Sequence, residues 1–598
     1  MIRCIFVLFH FLIIIQVSFG QELIDTIFIN DLKPYNHHFL KADQRYHDST
    51  SNSIIDFLQS IPGGQMQIAS PGGLTTLLHR GMGNRHLPIL WNGINIQSVT
   101  NGSFDLGLTP AALFDEVHFF NSGNPALQGN NGLSGSLNLN TVSLAEEHHF
   151  IKLNLSTLQN IGLIHKYAQN NKKTQFRTGL QSSYDQNQFN YTYNRQKLER
   201  QSTHFLQINA MASLVHQFTS EKMIDIHVWW QYADRFIPVS ITTSPLTQKQ
   251  QDQNLRTQWA YTQYGKLLKW KTTANYIKEF LNFNTAAIDS RSEVDVLMLH
   301  TEWIEKKAQK YQFAFSYRTD IANPNFYTDQ KIRNTSYLST SRNFKWSSHH
   351  FTHIAVRQDL TDQNWMPFSW TFHHHFKSWD WSVSSNYNLP GFNDLYWPEG
   401  GNPNLKTEKS LKSEWSKIFN IAKTSCKINL YTNLVDNWIQ WQPNNTGRWS
   451  PINNKKVWSR GVELEATKKW GIKNGQITAH ATYSFNKTTS VDHYTDPELI
   501  GKQLIYVPIH KTAIHSTIQL RKYTFKIDYS FTGIRYDQSD ESGALDPIHL
   551  INFAAQRSIG KYQLGAQINN ILNTNYEIVR FYPQPGLYLD ISLKYTFL

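Results

Sequence analysis

Apolar and polar residues alternate through most of the chain, from about residue 148 to its end. Runs at 151–155 and 189–193 have this pattern, and the longest run places apolar side chains at Leu587, Leu589, Ile591, Leu593, Tyr595 and Phe597. Because successive side chains of a β-strand point to opposite faces, a period of two predicts strands with one apolar and one polar face. The pattern therefore predicts that residues 146–598 are almost entirely β-structure.

The length of this region sets the expected number of strands. With ~20 residues for each strand and its connection, residues 146–598 hold about 22 antiparallel strands, enough for a wide closed barrel. Closure removes the unpaired edge groups that lipid cannot satisfy. Mean hydropathy is only −0.47, while 14% of the residues are aromatic. Both values fit a transmembrane β-barrel, in which only alternate residues face lipid. A large secreted all-β protein shares this bias and is the alternative.

Residues 51–145 have a different pattern, rich in Gly and Asn. They predict a short helix at 54–61, a second helix at 109–114 that has Pro at its first position, and strands between glycine turns. Asn92-Gly93 lies between two apolar runs and is the pair that best tolerates the two positive φ angles of a type I′ hairpin. These features predict a small mixed α/β domain.

The first 20 residues resemble an export signal. Arg3 precedes an apolar run at 5–15, and small residues lead to Gly20, which fits a signal peptide over residues 1–20. A membrane anchor is the alternative, but the run is short for a span of about 30 Å. Of the two cysteines, only Cys426 is then left in the mature chain, so no disulfide is expected within it.

Several ordered motifs resemble those of TonB-dependent outer-membrane receptors. In the first domain they are the stretches 57–63, 79–81, 90–94 and 129–137. In the strand region they are 389–397, 400–408, 461–463 and 569–576. The motifs extend over nearly the whole mature chain, and the compact layout is most similar to the cobalamin-receptor branch. The resemblance implies an all-β transmembrane barrel whose lumen holds an N-terminal mixed α/β plug domain at 51–145, with a barrel at 146–598.

The resemblance also implies partners and a location. Residues 21–50 would form a linker with a TonB box made of Asp25, Thr26, Ile27, Phe28 and Ile29. Such a segment adds a strand to TonB, which is energised by the inner-membrane proton gradient. Alternatively, it is simply the first plug strand. The expected location is the outer membrane of a Gram-negative bacterium, with lipid and the barrel-assembly machinery as further partners and a monomeric barrel.

Three groups of site residues follow from the resemblance. Arg80 of the plug is expected to pair with inward carboxylates, for which Glu408 and Glu463 are the candidates. The expected plug turns are at Gly81, Asn92, Gly93, Gly129, Gly132 and Gly135. The expected ligand contacts are Arg85, Asn95, Gln97, Asn101 and Trp397.

The chain departs from the family pattern at three places. The family usually has Arg after a late Pro-Gly pair, but Leu587 follows Pro585-Gly586 here. The family usually has Arg before the Gly of the third plug motif, but Ser122 precedes Gly123 here, so one plug–barrel ion pair is expected to be missing. The family usually ends on an aromatic residue, but Leu598 follows Phe597 here, which weakens or shifts that assembly signal.

The resemblance implies active import of a large scarce ligand, with no reacting cofactor. Cobalamin or another corrinoid is the expected cargo, and a ferric siderophore is the alternative. A passive gated porin or a surface adhesin is the alternative of another class. Aromatic and amide side chains suit either cargo, so the sequence leaves this choice open.

Other chemistry finds little support in the sequence. The net charge is +12, but it is not concentrated in a Lys/Arg run that would indicate nucleic-acid binding. No P-loop and no His-Glu-x-x-His motif is present, so no enzyme is predicted. In a strand, His373 and His375 share a face that His374 does not, which disfavours a three-ligand metal or haem site. Asp537, Asp540 and Glu541 offer a weak candidate for calcium.

Overall fold

The computed structural model of the chain describes residues 39–41, 54–121, 129, 131–141, 148–200, 203–242, 248–306, 311–443, 448–493 and 496–597. The predicted signal peptide, the predicted TonB box and Ser122 lie outside the described residues. No helix in the described part of the chain is long and apolar enough to cross a membrane.

The first domain is a small α/β unit, hereafter the plug. Its elements are α1 (Ile54–Gln59), β1 (Phe39–Lys41), β2 (Gly64–Ile68), β3 (Thr75–His79), β4 (Ile89–Trp91), β5 (Ile94–Asn95), β6 (Glu116–Phe120) and β7 (Ser136–Asn140). Five strands form one sheet in the order β1-β6-β7-β4-β5, in which only β4 and β7 run parallel, and β2 and β3 form a separate hairpin. The mixed α/β prediction therefore matches the fold of this region.

Two local features of the plug test the sequence reasoning. Asn92 and Gly93 have φ angles of 47° and 88°, so the β4–β5 turn uses two positive φ angles as predicted. The prediction of a second helix at 109–114 is wrong, because only a single 3₁₀ turn forms, at Ala111–Leu113. Pro110 before it has ψ 77°, which is not helical, so the short segment closes one turn and then becomes extended at Phe114.

Twenty-two of the described strands close into one antiparallel barrel, which confirms the predicted fold class. The strands after the plug are β8 (His148–Ser156), β9 (Asn160–Asn170), β10 (Thr174–Asp185), β11 (Phe189–Tyr193), β12 (Gln196–Arg200), β13 (Phe205–Thr219), β14 (Lys222–Phe236), β15 (Lys249–Tyr264), β16 (Leu268–Asn284), β17 (Asp289–Glu305), β18 (Tyr311–Ala322), β19 (Lys331–Ser347), β20 (His350–Thr361), β21 (Asn364–Trp365), β22 (Ser369–Phe376), β23 (Trp379–Asn388), β24 (Glu408–Ile421), β25 (Thr424–Pro443), β26 (Trp449–Ile472), β27 (Gly475–His493), β28 (His510–Leu520), β29 (Tyr523–Thr532), β30 (Arg535–Tyr536), β31 (Ala544–Leu545), β32 (Ile548–Ile559), β33 (Tyr562–Asn569), β34 (Glu577–Val579), β35 (Tyr582–Pro583) and β36 (Tyr588–Thr596). The wall closes where β36 pairs with β8, and β11, β12, β21, β30, β31, β34 and β35 lie in connections.

The wall strands put apolar side chains outward and small or polar ones inward. On β18, Phe313 and Tyr317 are 52% and 45% exposed, whereas Ala314 and Ser316 between them are buried against the lumen contents. The last strand follows the same rule, with Ile591 and Leu593 on the outer surface. One face of each strand therefore suits lipid and the other suits a polar lumen.

The run at 189–193 was expected to be part of the wall, and this is wrong. Residues 189–193 form β11, which pairs only with β12 in a hairpin between β10 and β13. The alternation of Phe189, Tyr191 and Tyr193 is real, but a two-stranded hairpin also has two faces, so a period of two does not distinguish it from a wall strand.

The two ends of the barrel differ. The chain enters the barrel at β8 and leaves it at β36 on the same end, where the Phe597 amide donates to the His149 carbonyl at 2.8 Å. Connections at this end are short, such as 220–221 and 422–423. Connections at the opposite end, the long-loop end, include 186–204, 389–407 and 570–587.

The plug lies inside the barrel and shares a core with the wall. Trp229 of β14 is fully buried and contacts plug aromatic residues edge-on, at 6.0 Å from Trp91 and 5.4 Å from Phe114. Wall side chains Ile277 and Val296 belong to the same apolar cluster as plug helix α1. The lumen is therefore filled, so a large solute can pass only if the plug rearranges.

Candidate functional site

The main polar contact between plug and wall centres on Arg80, directly after β3. Its Nε and Nη2 donate to the two carboxylate oxygens of Glu463 on β26, both at 2.8 Å. Its Nη1 donates to Glu414 on β24. The guanidinium also lies 4.1 Å from the ring centre of Tyr431 on β25. Arg80, Glu414 and Glu463 are all at least 95% buried, so this plug residue is held by three adjacent wall strands.

Arg80 has an unusual backbone that is fixed by its neighbours. Its φ angle is 55°, in the left-handed region that few non-glycine residues occupy. The Arg80 carbonyl accepts hydrogen bonds from Ser459 at 2.6 Å and Thr488 at 3.0 Å, both on the wall. The wall therefore holds both the side chain and the main chain of this residue, which is typical of strain kept at a functional position.

A wall lysine completes the charge balance of this cluster. Nζ of Lys412 lies 2.8 Å from Oε1 of Glu414 and also donates to the carbonyl of Asn121 in the plug. The cluster, hereafter the Arg80 cluster, thus holds two cations, Arg80 and Lys412, and two carboxylates, Glu414 and Glu463. Of these four charged groups, only Arg80 belongs to the plug. The expected loss of an ion pair at Ser122 falls outside the described residues and stays a prediction.

The electrostatics favour fixed charges in the Arg80 cluster. Burial disfavours the charged form of Arg80, but Glu414 and Glu463 favour it more strongly, so the pKa of Arg80 lies above its usual value. Burial, reinforced by the positive charges of Arg80 and Lys412, holds the pKa of His79 well below its usual value. A neutral His79 then donates from Nδ1 to the Ser134 carbonyl at 2.6 Å. This bond joins β3 to the chain before β7 within the plug.

The predicted partner Glu408 contacts a different plug residue, so its expected pairing with Arg80 is wrong. Its Oε2 lies 2.9 Å from Nε2 of His86 and accepts from Asn388 at 2.6 Å. Its Oε1 accepts from the amide of Ile439 at 2.8 Å. Alternation along β24 explains the exchange: Glu408 and Glu414 share the lumen face but lie six residues apart, so they face different parts of the plug.

Arg85 also pairs with the wall. Its Nη2 donates to Oδ2 of Asp394, a 4%-exposed side chain in the connection 389–407. Burial opposes the charge on Arg85, but Asp394 and then Glu408 outweigh it, and the pKa of Arg85 is raised. Arg85 was expected to contact ligand, and its guanidinium is instead occupied by a carboxylate.

The other predicted ligand contacts have mixed surroundings. Gln97 is buried, and its Nε2 donates to the carbonyls of Asn84 and Leu87, at 2.9 and 3.1 Å, inside the plug. Asn95 accepts from the Gln97 amide through its side chain at 3.0 Å. Asn101 is exposed and caps its own turn, with Oδ1 accepting from the Ser103 amide at 2.9 Å. Of these three residues, Asn101 is exposed, Asn95 is half-buried and Gln97 is buried.

Trp397 belongs to an aromatic group at the long-loop end that the sequence analysis did not assemble. Its ring centre lies 4.8 Å from that of Phe326, which lies 5.1 Å from Tyr327. Tyr396 packs 6.3 Å from Tyr327. Phe326 and Tyr327 come from the connection between β18 and β19, about seventy residues earlier, so no local motif could have placed them beside Trp397. The partly exposed rings of Phe326, Tyr396 and Trp397 form an aromatic surface. Asn393 and Asp394, which precede Tyr396 in the chain, contact the Thr100 carbonyl and Arg85 of the plug.

Basic side chains near this aromatic group already have partners. Lys331 pairs with Asp329 at 2.7 Å, and Arg333 donates to the Pro390 carbonyl at 2.9 Å. Arg318 pairs with Asp320 at 2.6 Å. These three cations are therefore neutralised or hydrogen-bonded rather than unpaired.

The expected plug turns differ in how closely the wall approaches. Gly81, Gly93, Gly129 and Gly135 have φ angles of 76°, 88°, 93° and 136°. A Cβ built on Gly81 would lie 2.6 Å from Cβ of Thr488, whereas one on Gly93 would meet nothing within 4 Å. A Cβ on Gly132 would lie 3.4 Å from Nδ2 of Asn386. Asn92 does more than turn the chain, because its Oδ1 accepts from the Thr141 amide at 2.8 Å.

This difference gives a matched pair of variants. Both Gly81→Ala and Gly93→Ala place a Cβ at positive φ, at a cost of about 1–2 kcal/mol. Only Gly81→Ala also collides with the wall, so we expect it to loosen the plug and raise vancomycin sensitivity of cells that carry it. Gly93→Ala should leave sensitivity at the wild-type level. Equal sensitivity of the two variants, at equal amounts of folded barrel, would contradict the close approach at Gly81.

The candidate metal residues have protein partners. His373 and His375 both contact Oδ1 of Asp380, at 3.1 and 2.9 Å. In the acidic connection, Asp537 pairs with Arg580 at 2.5 Å and Glu541 accepts from the Gln503 amide at 2.7 Å. Among the residues that the structure describes, no group of three or more His, Cys, Asp or Glu side chains is arranged to hold a metal ion.

Comparison with known proteins places this geometry in a family. Residues 91–571 match the family model described as TonB dependent receptor-like, beta-barrel, and residues 42–136 match the TonB-dependent Receptor Plug Domain. The chain is 23% identical over 553 residues to the vitamin B12 transporter BtuB of Photobacterium profundum, covering 88% of this chain and 87% of the relative. It is 22% identical to the BtuB of Vibrio vulnificus, covering 91% and 90%.

Solved structures share the fold at low sequence identity. The siderophore receptor PirA from Acinetobacter baumannii superposes with a TM-score of 0.78 at 12% identity, over 94% of this chain and 98% of the other. At this identity the likeness shows the architecture alone. The barrel with its enclosed plug is thus common to proteins whose names give different ligands.

Proposed function

The chain belongs to the family of TonB-dependent receptors and is a TonB-dependent outer-membrane transporter, and we propose that its cargo is cobalamin or another corrinoid. Outer-membrane barrels have short periplasmic turns and long extracellular loops, so the long-loop end is the outer face. A corrinoid would bind above the plug on this face. Members of the family act with TonB and a small-molecule ligand, and the relatives are named as transporters rather than enzymes.

The observation that best supports a corrinoid cargo is the match over nearly the full length to two proteins named vitamin B12 transporters. The surface above the plug supports the proposal. Its aromatic residues Phe326, Tyr396 and Trp397 suit the flat, amphipathic face of a corrin ring. Exposed Asn101 offers an amide for the polar groups of such a ligand.

A ferric siderophore is the second candidate. Basic and aromatic residues lie together at the outer face, with Lys331 4.9 Å from the ring centre of Tyr396 and Arg333 4.6 Å from that of Phe392. Such cations would attract a siderophore that carries negative charge. The pairing of Lys331 with Asp329 weakens this attraction, which is why we place the corrinoid first.

A competition experiment tests the cargo. We expect outer-membrane vesicles containing the protein to bind radiolabelled cyanocobalamin saturably, with displacement by unlabelled cyanocobalamin and not by ferrichrome or a ferric catecholate. Trp397→Ala should weaken binding, because one ring of the aromatic surface is lost. Trp470→Ala removes a ring from the outer surface of the barrel and should leave binding unchanged. Binding of a ferric complex in place of cyanocobalamin would establish the second candidate and overturn the first.

A further inference from the structure

Two consecutive plug residues, Arg85 and His86, are held by one carboxylate within an outer connection and one directly after it. This connection, residues 389–407, joins β23 to β24 and contains the short helix α2 (Phe392–Tyr396). We refer to residues 389–407 as the clamp loop. Asp394 lies within it, and Glu408 is the first residue after it.

Asp394 joins three parts of the molecule. Its Oδ2 accepts from Arg85 of the plug and, at 2.8 Å, from the amide of Gly391 in the clamp loop. Its Oδ1 accepts from Nε1 of Trp441 on β25 at 2.9 Å. The side chain is buried, so losing one of these donors leaves a desolvated carboxylate incompletely bonded.

Glu408 does the same at the base of the clamp loop. It pairs with Asn388 across the β23–β24 ladder and binds His86, whose ring packs on Trp438 with a centroid distance of 4.5 Å. Asn388 directly before the clamp loop therefore binds Glu408 directly after it, and the same Glu408 carboxylate binds His86 of the plug. Arg85 and His86 lie in the 3₁₀ turn Asn84–His86, so two wall carboxylates grip a single turn of the plug.

Main-chain contacts extend this grip. The amide of Phe392 donates to the Val99 carbonyl at 3.0 Å, and that of Asn393 donates to the Thr100 carbonyl at 2.8 Å. A Cβ on Gly391 would lie 2.8 Å from the Thr100 carbonyl oxygen, so this position needs glycine for close approach. The start of α2 thus lies directly on the outermost plug loop.

The clamp loop also carries part of the aromatic surface. Tyr396 and Trp397 follow Asp394 closely in the chain, and Asn393 accepts a hydrogen bond from Tyr327 at 2.6 Å. A ligand that contacts these rings would therefore contact the element that holds Arg85 and His86.

We propose that the clamp loop holds the plug turn Asn84–His86 against the barrel wall. Asp394 and Glu408 are then positioning residues that set how readily TonB pulls the plug away from the wall. The inference rests on the proposed function only for the identity of the ligand that would loosen the clamp. The proposal is based on two buried contacts, Arg85 to Asp394 and His86 to Glu408, which must break when the plug moves.

Loosened variants test this without any ligand. Asp394→Asn and Glu408→Gln keep shape but remove charge, so each weakens its plug contact. We expect vancomycin influx to rise about tenfold, as for the loss of about 1.4 kcal/mol from a charge-assisted hydrogen bond. The rise should occur in cells with TonB and be absent in cells without TonB, since the clamp resists pulling and does not itself seal the lumen.

A merely structural role would lower the amount of folded barrel and admit vancomycin regardless of TonB, which would overturn the proposal, as would unchanged influx. A double-mutant cycle gives a second measurement: Arg85→Met with Asp394→Asn should admit no more than the stronger single variant. The matched control is Asp289→Asn with Arg291→Met, an exposed ion pair at the outer end of β17, which should change nothing. Wild-type cells that fail to take up cyanocobalamin would refute the corrinoid cargo and leave the influx result intact.

Discussion

Replacing residues 25–29 by a Gly-Ser segment of the same length is expected to reduce uptake to the level of cells that lack TonB, with binding at the outer face unchanged. These residues form the TonB box in our proposal, where an extended segment adds a strand to TonB. Without that strand, force from the inner membrane does not reach the plug. Because the plug fills the lumen and shares a core with wall residue Trp229, diffusion does not replace active opening. Uptake and surface binding of labelled cyanocobalamin measure the two effects.

The control for this replacement is the same Gly-Ser segment at residues 31–35, which preserves the predicted TonB box and lies before the plug match at 42–136. It should retain uptake, because sequence at 25–29 and not linker composition is what TonB reads. If the 25–29 variant takes up ligand normally, the transporter does not use this segment, and the interpretation of the chain as a passive porin or adhesin gains support. Loss of both binding and uptake would instead indicate a misfolded barrel.

The large-scale fold was predictable because it repeats. The period of two predicted strands, and the length of residues 146–598 at ~20 residues per strand and connection predicted about 22 of them, the number in the wall of the structure. Each wall strand repeats the same physical requirement, an apolar outward face and a polar inward face, so single errors do not change the total. The hairpin of β11 and β12 shows the limit, since two faces alone do not place a strand in the wall.

The plug–wall contacts were predictable only in part, because they join residues far apart in the chain. Arg80 and Glu463 were expected to pair from the family resemblance, and they lie 383 positions apart. Glu414 and Lys412 were missed. Their signal was available: Glu408, Lys412 and Glu414 share one parity on β24 and all face the lumen. Parity identifies inward residues, but it does not say which part of the plug each one meets, which is why Glu408 was assigned the wrong partner.

The contacts of Asp394 and Glu408 and those of the Arg80 cluster hold different parts of the plug. Asp394 in the clamp loop and Glu408 directly after it contact the plug turn Asn84–His86, near the expected ligand. The Arg80 cluster lies deeper, where β24, β25 and β26 meet the plug after β3. A transporter must keep the plug seated against leakage and still let it move, and buried charge pairs serve this need because they fix orientation more than they add net stability.

Removing Arg80 is expected to unseat the plug whether or not TonB is present. Arg80→Ala takes three donors from Glu414 and Glu463, which are 5% and 1% exposed. Breaking a buried pair by removing one partner costs about 3–5 kcal/mol, because the remaining charge is left desolvated. Lys412 still pairs with Glu414, so Glu463 bears most of this cost, with Asn429 as its remaining donor at 2.9 Å. Vancomycin sensitivity should rise equally in cells with and without TonB, and trypsin should cut the plug in vesicles.

Two further variants separate charge from packing at this position. Arg80→Lys keeps the charge but not the paired donors to Glu463, so it should be intermediate. Arg80→Met with Glu463→Gln removes both charges and should recover much of the lost seating, because no uncompensated carboxylate remains. If Arg80→Met alone were as tight as the wild type while the barrel is correctly folded, the bidentate contact would have no part in holding the plug. If the double variant were no better than Arg80→Met alone, the lost shape of Arg80 over Tyr431, and not the buried charge of Glu463, would account for the leak.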